Sequence, residues 1–194
     1  MSLTHLSRLY LSASTAAFSG CRFFIFFFVF AVGCSAEKPG YGVLFGSSEV
    51  NLSPSDQSAI FDNFITMFPL SEDGSYFVEA NCGDMMPEVQ VVDLNEDGTH
   101  EAFVQWGNSC TSGMTGRSLT LFTRDGPGSF QQHFGFPALG WSALDSSEQG
   151  WPDISFGGPG FCRAVWKWSD EGYQFKCNLP EVQGGCELRG NICP

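Results

Sequence analysis

The stretch Val91–Val104, VVDLNEDGTHEAFV, decides the predicted fold, because two apolar, strand-forming flanks enclose a dense set of oxygen-bearing side chains. Oxygen-bearing groups recur at every second position of the loop, at Asp93, Asn95, Asp97, Thr99 and Glu101. Gly98 permits the sharp backbone bend that a short loop of this kind requires. Oxygen ligands suit a hard cation, so we predict a calcium loop between two strands, with four side chains and the Thr99 carbonyl as ligands.

The same residues also suit a metal-free turn, in which Asp and Asn side chains hydrogen-bond the loop's own backbone. An EF-hand is excluded, because it requires a bidentate acid at the twelfth position and Val104 stands there. A calcium ion in this loop would be structural, since it would neutralise crowded carboxylates and hold the two strands together.

A second copy of the loop follows 52 residues later in the chain. This shift places Asp93 on Asp145, Asn95 on Ser147, Asp97 on Gln149, Gly98 on Gly150, Glu101 on Asp153 and Cys110 on Cys162. Matches at one common offset indicate a duplicated strand-loop-strand unit. Because Ser147 and Gln149 replace stronger ligands, we predict that the second loop binds calcium weakly or not at all.

These repeats resemble the FG-GAP and VCBS-type repeats, which carry a D-x-[DN]-x-D-G-x-x-[DE] loop between consecutive strands. The resemblance covers roughly 89–175, with one repeat at about 89–130 and the other at about 141–175. It implies calcium in the first loop and a mainly β fold, in which two tandem propeller-blade-like repeats form a small sheet or sandwich. One N-terminal helix and disulfides complete the predicted architecture.

The helix is predicted ahead of the repeats. Ser53 suits the N-cap, Pro54 suits the first turn, and Pro69 ends the helix. Its apolar residues recur on one face, which we interpret as a packing surface against the sheet; they are Ile60, Phe61, Phe64 and Phe68. Five short β-branched or aromatic segments are predicted strands: 89–92, 102–106, 119–122, 154–156 and 164–168.

Six of the eight cysteines lie beyond residue 34, and an even number in an exported domain predicts disulfides. The absence of any C-x-x-C pair from the sequence argues against zinc. Many connectivities are open to six cysteines. We predict the pairs that close short loops: Cys82 with Cys110, Cys162 with Cys177, and Cys186 with Cys193.

Segment 1–33 is interpreted as an export signal, because Arg22 precedes an apolar run, Phe23–Val32, that is too short to span a bilayer. The sequence AVGC ending at Cys34 resembles the lipobox of bacterial lipoproteins, which usually carries Leu in place of Ala31. That resemblance implies lipidation of Cys34 and an outer-membrane location; cleavage after Ala36, leaving a periplasmic protein, is the alternative. We then expect a lipid-anchored tether over 34–50 and a single β-rich domain over 51–194.

The net charge, the histidines and the tryptophans argue for some classes of function and against others. Beyond residue 33 there are 7 basic and 21 acidic residues, a formal net charge of −14, which argues against nucleic acid as a partner. His100 and His133 come with no recognisable nucleophile, so no catalytic residue is predicted. The five tryptophans either fill the core, which we favour, or form an aromatic surface for a sugar or protein partner.

Two functions fit these observations. The first is a non-enzymatic, exported cell-envelope module that binds or inhibits a protein or glycan partner and meets the membrane only through its lipid anchor. An immunity protein whose acidic surface binds a basic toxin or enzyme is one form of this hypothesis. The second is a cell-envelope glycan hydrolase that uses a pair of Asp or Glu side chains as acid and base.

Overall fold

The computed structural model describes residues 39–46 and 50–194. These residues form a mainly β domain with few helices and three antiparallel sheets. The strands are β1 (Phe77–Glu79), β2 (Gly83–Met85), β3 (Glu88–Val92), β4 (Glu101–Trp106), β5 (Ser118–Gly126), β6 (Ser129–Pro137), β7 (Gly140–Glu148), β8 (Trp151–Gly157), β9 (Cys162–Lys167) and β10 (Gln174–Pro180). Strands β3 to β6 form one four-stranded sheet in chain order, β7 to β10 form another, and β1 pairs with β2.

The predicted helix is confirmed. It is α2 (Pro54–Met67), and the Ser53 hydroxyl caps it by accepting a hydrogen bond from the Asp56 backbone N–H at 3.2 Å. It ends two residues before Pro69, as the sequence predicts. Its aromatic face packs against the β3–β6 sheet, so the predicted packing surface is also confirmed.

The segment that we expected to be a tether, 34–50, is folded in part. Helix α1 (Tyr41–Phe45) lies within it, and Leu44 and Phe45 are buried in the core beside α2. The Tyr41 hydroxyl donates a hydrogen bond to Gln57 of α2 at 2.8 Å. Apolar burial therefore draws these residues into the domain, whereas the glycine content of the segment favoured an extended linker.

Two cores follow from the alternation of side chains along the strands. On one face of the β3–β6 sheet, Ala102 and Val104 pack with the aromatic face of α2. Phe103 points to the opposite face and joins a second core with Ile154 and Phe156 of the other sheet. The two four-stranded sheets therefore pack on each other, and the helices cover the outer face of the first.

The duplicated loops occupy equivalent places in the two sheets. The loop after β3 opens the first hairpin of one sheet, and the turn after β7 opens the first hairpin of the other. The second loop is shorter than predicted, because Asp145 lies in β7 and Asp153 in β8, and only Gln149 and Gly150 lie between the strands.

The layers follow the order helices, first sheet, second sheet. Ala102 and Ile154, which the 52-residue shift equates, each point to the preceding layer: Ala102 packs against the helices, and Ile154 packs against the first sheet. The repeats thus stack in the same sense. A relationship to propeller blades remains a prediction.

The five predicted strands lie within β3, β4, β5, β8 and β9, although the last ends at Lys167 and leaves Trp168 outside. Five strands were not predicted: β1, β2, β6, β7 and β10. These strands carry few β-branched residues, as SFQQHFGFP in β6 shows, and their pairing partners rather than their own propensity hold them in the sheets.

Three disulfides staple the domain, and one of the three predicted pairs is confirmed, Cys82–Cys110. The other two predictions are wrong, because the bonds are Cys162–Cys186 and Cys177–Cys193. Strands β9 and β10 are antiparallel neighbours, but their register sets Cys162 opposite Pro180 and Cys177 opposite Val165. Both strand cysteines are therefore out of reach of each other and bond the C-terminal tail instead.

The export signal at 1–33, Cys34 and the alternative cleavage point at Ala36 lie outside the described residues. Among the residues that the structure describes, no helix has the length and apolar character needed to cross a membrane.

Candidate functional site

The loop Asp93–Glu101 joins β3 to β4 and is closed by its own side chains. The Asp93 carboxylate accepts hydrogen bonds from the backbone N–H groups of Asp97 at 3.1 Å and Gly98 at 2.9 Å. The Asp97 carboxylate in turn accepts from the Thr99 N–H at 2.7 Å and from the Asn95 amide at 2.8 Å. These bonds match the self-bonded turn that was the metal-free interpretation, and they also gather the predicted oxygen ligands into one short turn.

Glu101 lies at the end of this loop with 1% of its surface exposed. Its carboxylate accepts a hydrogen bond from the Leu94 N–H at 2.8 Å. Burial raises the pKa of Glu101 to about 7, and the negative charges of Asp97 and Asp93 act in the same direction. No Lys, Arg or His in the described part of the chain forms an ion pair with it.

The donor chemistry of the loop suits calcium, because carboxylate and amide oxygens crowd together. Arg124, which pairs with Asp56, adds some positive charge beside Asp97, but it forms no ion pair with Glu101 in the described part of the chain. The geometry is less complete: nowhere in residues 39–46 and 50–194 do three or more His, Cys, Asp or Glu side chains converge as metal ligands would. The predicted ligand set of Asp93, Asn95, Asp97, Thr99 and Glu101 therefore remains a prediction, and thermal unfolding with calcium and with a chelator tests it.

In the second loop, a lysine side chain balances the charge of the buried acid. Asp153, the counterpart of Glu101, is 1% exposed. It accepts hydrogen bonds from the Ser146 hydroxyl and from the Lys176 ammonium group. Ser146 is the counterpart of Leu94, so both repeats hold their buried acid from the same position. Since Lys176 supplies a positive charge, this loop has less need of a metal ion.

The tryptophans are half-buried and packed against other rings. Trp151 stacks on Trp168 with ring centroids 4.2 Å apart, and Trp141 stacks on Phe103 at 4.0 Å. Trp166 stacks on Phe136 at 5.3 Å. These contacts support the core interpretation for most of the indole area. Trp141 differs from the others, since it also lines two cavities.

Strand β7 begins between those two cavities, which together we name the Trp141 groove. The first, of about 250 Å³, is lined by Glu88, Gln90, Phe103, Gln105 and Trp141. The second, of about 310 Å³, is lined by Leu139, Trp141, Ser142, Arg163 and Glu181. Apolar rings and a few polar groups of this kind are characteristic of ligand sites.

Polar side chains fix the shape of the groove. The Trp141 indole N–H donates to the Gln90 side-chain oxygen at 3.3 Å, and the Gln105 amide donates to the Leu139 carbonyl at 3.3 Å. Two ion pairs lie at its ends, Arg117–Glu88 at 2.8 Å and Arg163–Glu181. Of these residues, only Trp141 was considered from the sequence as part of a binding surface. Isolated glutamines and glycines on strands carry no local signal, and only the packing of the sheets brings them together.

The two histidines of the described residues sit in different surroundings. His100 hydrogen-bonds the exposed Asn51 amide at 2.8 Å. His133 hydrogen-bonds the Thr123 hydroxyl at 2.7 Å, and both residues are at most 5% exposed. Burial lowers the pKa of His133 to about 4. A substrate cannot reach a hydroxyl and imidazole that are both buried, so this pair does not form a nucleophile and base at an open site.

His133 gives a pH-dependent stability. Between pH 4 and 6.5 the unfolded chain binds a proton at this imidazole and the folded chain does not, so its contribution to stability falls as the pH falls through this range, by about 1 kcal/mol per pH unit. The Glu101 carboxyl titrates in the same window with the opposite sign, because its pKa is raised. We therefore expect the difference in unfolding free energy between the native protein and His133→Gln, measured by urea denaturation, to shrink or reverse as the pH falls from 7 to 4.5. An unchanged difference would contradict a buried neutral imidazole.

No protein-family model, curated protein or solved structure matches this chain. The resemblance to FG-GAP and VCBS-type repeats rests on the residues of the two loops alone. The function is therefore inferred from the site.

Proposed function

We propose that this protein is an exported, non-enzymatic module of the bacterial cell envelope that binds or inhibits a partner, and that its first repeat loop holds a structural calcium ion. The observation that carries the binding function is the Trp141 groove, where two cavities of about 250 and 310 Å³ flank the start of one strand. The groove places the Trp141 ring among polar and charged side chains, and ligand sites also combine aromatic rings with fixed polar groups.

Calcium would lie at the loop between β3 and β4. The residues that would hold it are Asp93, Asn95, Asp97 and Glu101, with the Thr99 carbonyl. Its charge would offset the buried Glu101 carboxylate, as Lys176 offsets Asp153 in the other repeat. The ion would fix the first hairpin of the sheet that forms one wall of the groove, so its effect on binding would be indirect.

Removal of calcium should lower the melting temperature, because an ion that binds only the folded state stabilises it by about 2.7 kcal/mol at a hundredfold excess over its Kd. The test is thermal unfolding followed by circular dichroism, with calcium and with a chelator. Asp97→Asn should abolish the chelator effect while keeping an acceptor for the Thr99 N–H. Asp125→Asn, which changes an exposed acid near the end of β5, is the matched control and should retain the effect. A chelator that leaves the native melting temperature unchanged would defeat the calcium assignment.

Three disulfides are compatible with an oxidising compartment and support the export part of the proposal. Lipidation of Cys34 would anchor the domain to the membrane, and cleavage after Ala36 would leave it free in the periplasm. The mass of the mature N-terminal peptide separates the two, because acyl chains on Cys34 add mass that an unmodified start at Glu37 lacks.

Binding is distinguished from glycan hydrolysis by one pair of measurements. The immobilised protein is exposed to a cell-envelope extract, and the soluble protein is incubated with cell-wall glycans. We expect retention of a defined component that is lost with Trp141→Ala and kept with Trp151→Ala, with no glycan turnover. Turnover abolished by one carboxylate substitution outside the 93–101 loop would overturn the binding function in favour of a hydrolase.

A further inference from the structure

The outer strands of the two sheets are covered to different degrees. Helix α1 packs against β3, and α2 packs against β6. The C-terminal tail runs along β10, where the Asn178 N–H donates to the Asn191 carbonyl at 2.7 Å and the Cys193 N–H donates to the Asn178 carbonyl at 2.9 Å. Within the described residues, the backbone of β7 pairs only with that of β8. Its outer edge therefore presents alternate N–H and C=O groups that no strand satisfies.

The first four residues of β7, Gly140–Ala143, lack the usual protection of an exposed edge, whereas the second half carries acids and a bulge. Lysine and proline, which discourage pairing with another strand, are absent from Gly140–Glu148. Its pairing with β8 is regular from Gly140 to Ala143 and then shifts before Ser147. The regularly paired segment, Gly140–Ala143, borders the Trp141 groove, so an unpaired backbone edge lies beside a cavity there.

Both cavities of the groove border the start of β7, where they could receive the side chains of a strand added to its edge. Trp141 and Ser142 are neighbours in β7, and their side chains point to opposite faces of the sheet. Only the first cavity has Gln90 and Phe103 in its wall, and only the second has Ser142. A strand paired with β7 would send its own alternate side chains to these two faces. This arrangement is how strand addition obtains affinity from the backbone and specificity from side-chain pockets.

Charge and exposed apolar surface indicate the chemistry of the added strand. Past the groove, β7 carries two exposed acids, Asp145 and Glu148, of which Glu148 pairs with Lys167 of β9 at 3.2 Å. The whole chain has a formal net charge of −12. Leu139, 56% exposed, lines the second cavity, and Phe161, 61% exposed, accepts a backbone hydrogen bond from Glu181 of the same cavity. Large exposed apolar side chains beside a groove are typical of a protein interface.

On these grounds we propose that an extended, basic segment of a partner protein binds by adding a strand to the outer edge of β7 at Gly140–Ala143. This inference rests on the proposed binding function and names its partner class. A second copy of this chain is a poorer occupant, because the acidic character of both copies opposes their association.

The test uses synthetic heptapeptide pools with blocked ends, in which Lys alternates with apolar residues, and a matched pool with Glu in place of Lys. Binding to the intact protein is measured by fluorescence polarisation, and cell-wall glycan fragments are titrated as a separate arm. We expect the basic pool to bind, more weakly at high salt, and the acidic pool and the glycans not to bind.

Two series of backbone-methylated peptides test the strand itself, one methylated at odd and one at even positions. Only alternate N–H groups of an added strand face β7, so one series should lose about tenfold or more in affinity and the other should keep it. Gly140→Leu should weaken binding, because a Cβ there enters open space in the groove. Gly126→Leu, at the end of β5 and outside the lining of both cavities, is the matched control and should bind normally.

Equal binding by both methylated series would overturn strand addition, as would failure of every peptide pool. Glycan fragments that bind in a manner sensitive to Gly140→Leu would replace the peptide partner with a sugar. In each of these cases, retention of an envelope component that depends on Trp141 would leave the binding function standing.

Discussion

Lys176→Met is expected to destabilise the protein by about 3 kcal/mol, because it leaves the Asp153 carboxylate buried without its cation. The Asp153 side chain is 2% exposed, and Lys176 is the only base that the described residues place against it. Methionine keeps the length of the side chain and removes its charge, so the change isolates the electrostatic part. Urea denaturation of the intact protein measures the effect.

Two controls test whether the loss of stability comes from the unpaired Asp153 charge. The double variant Lys176→Met/Asp153→Asn should recover most of the loss, because it removes the unpaired charge. Lys167→Met breaks the exposed pair with Glu148 and should cost less than about 1 kcal/mol. A loss of similar size for Lys167→Met and Lys176→Met would contradict the special role of the buried pair.

Phe64→Ala is expected to cost about 3–5 kcal/mol, because it empties a filled position between α2 and the first sheet. Phe64 is 0% exposed and meets Phe77 edge to face with ring centroids 5.0 Å apart, and Phe68 at 5.3 Å. Loss of this ring removes apolar burial and leaves a cavity that the neighbouring rings cannot fill. The unfolding free energy in urea is the measurement.

Phe175→Ala provides the matched comparison. Phe175 is 45% exposed and touches Trp166 at a centroid distance of 6.4 Å, so its removal should cost about 1 kcal/mol. If the two substitutions cost the same, α2 does not contribute the core that its aromatic face indicates.

The two loops that the 52-residue shift equates hold their buried acids with different chemistry. Each repeat buries an acid at the start of its second strand, Glu101 in one and Asp153 in the other. The second repeat balances its acid with Lys176, which reaches it from β10. The first has no such base among the described residues, and under our proposal calcium takes that part. The Lys176 variants and the chelation experiment therefore probe the same requirement in the two repeats.

Local sequence determined α2 and five of the strands, because capping, proline position and β-branched runs act over a few residues. It also determined the spacing of the two loops, whereas the short-loop rule gave only one correct disulfide of three, Cys82–Cys110. Strands β1, β2, β6, β7 and β10 were not predicted, since their sequences carry few β-branched residues and become strands through hydrogen bonds to neighbours.

The tertiary structure alone decided the remaining features. The register of β9 and β10 placed Cys162 and Cys177 out of reach of each other, and the tail supplied their partners. Stacking of the two sheets brought Gln90 and Gln105 beside Trp141, from strands far apart in the chain. The sequence by itself determined which residues favour helix, strand or tight turn, because those preferences are local. Which acid meets a base, which edge stays open and where the groove forms depend on contacts between distant segments, and no local pattern encodes them.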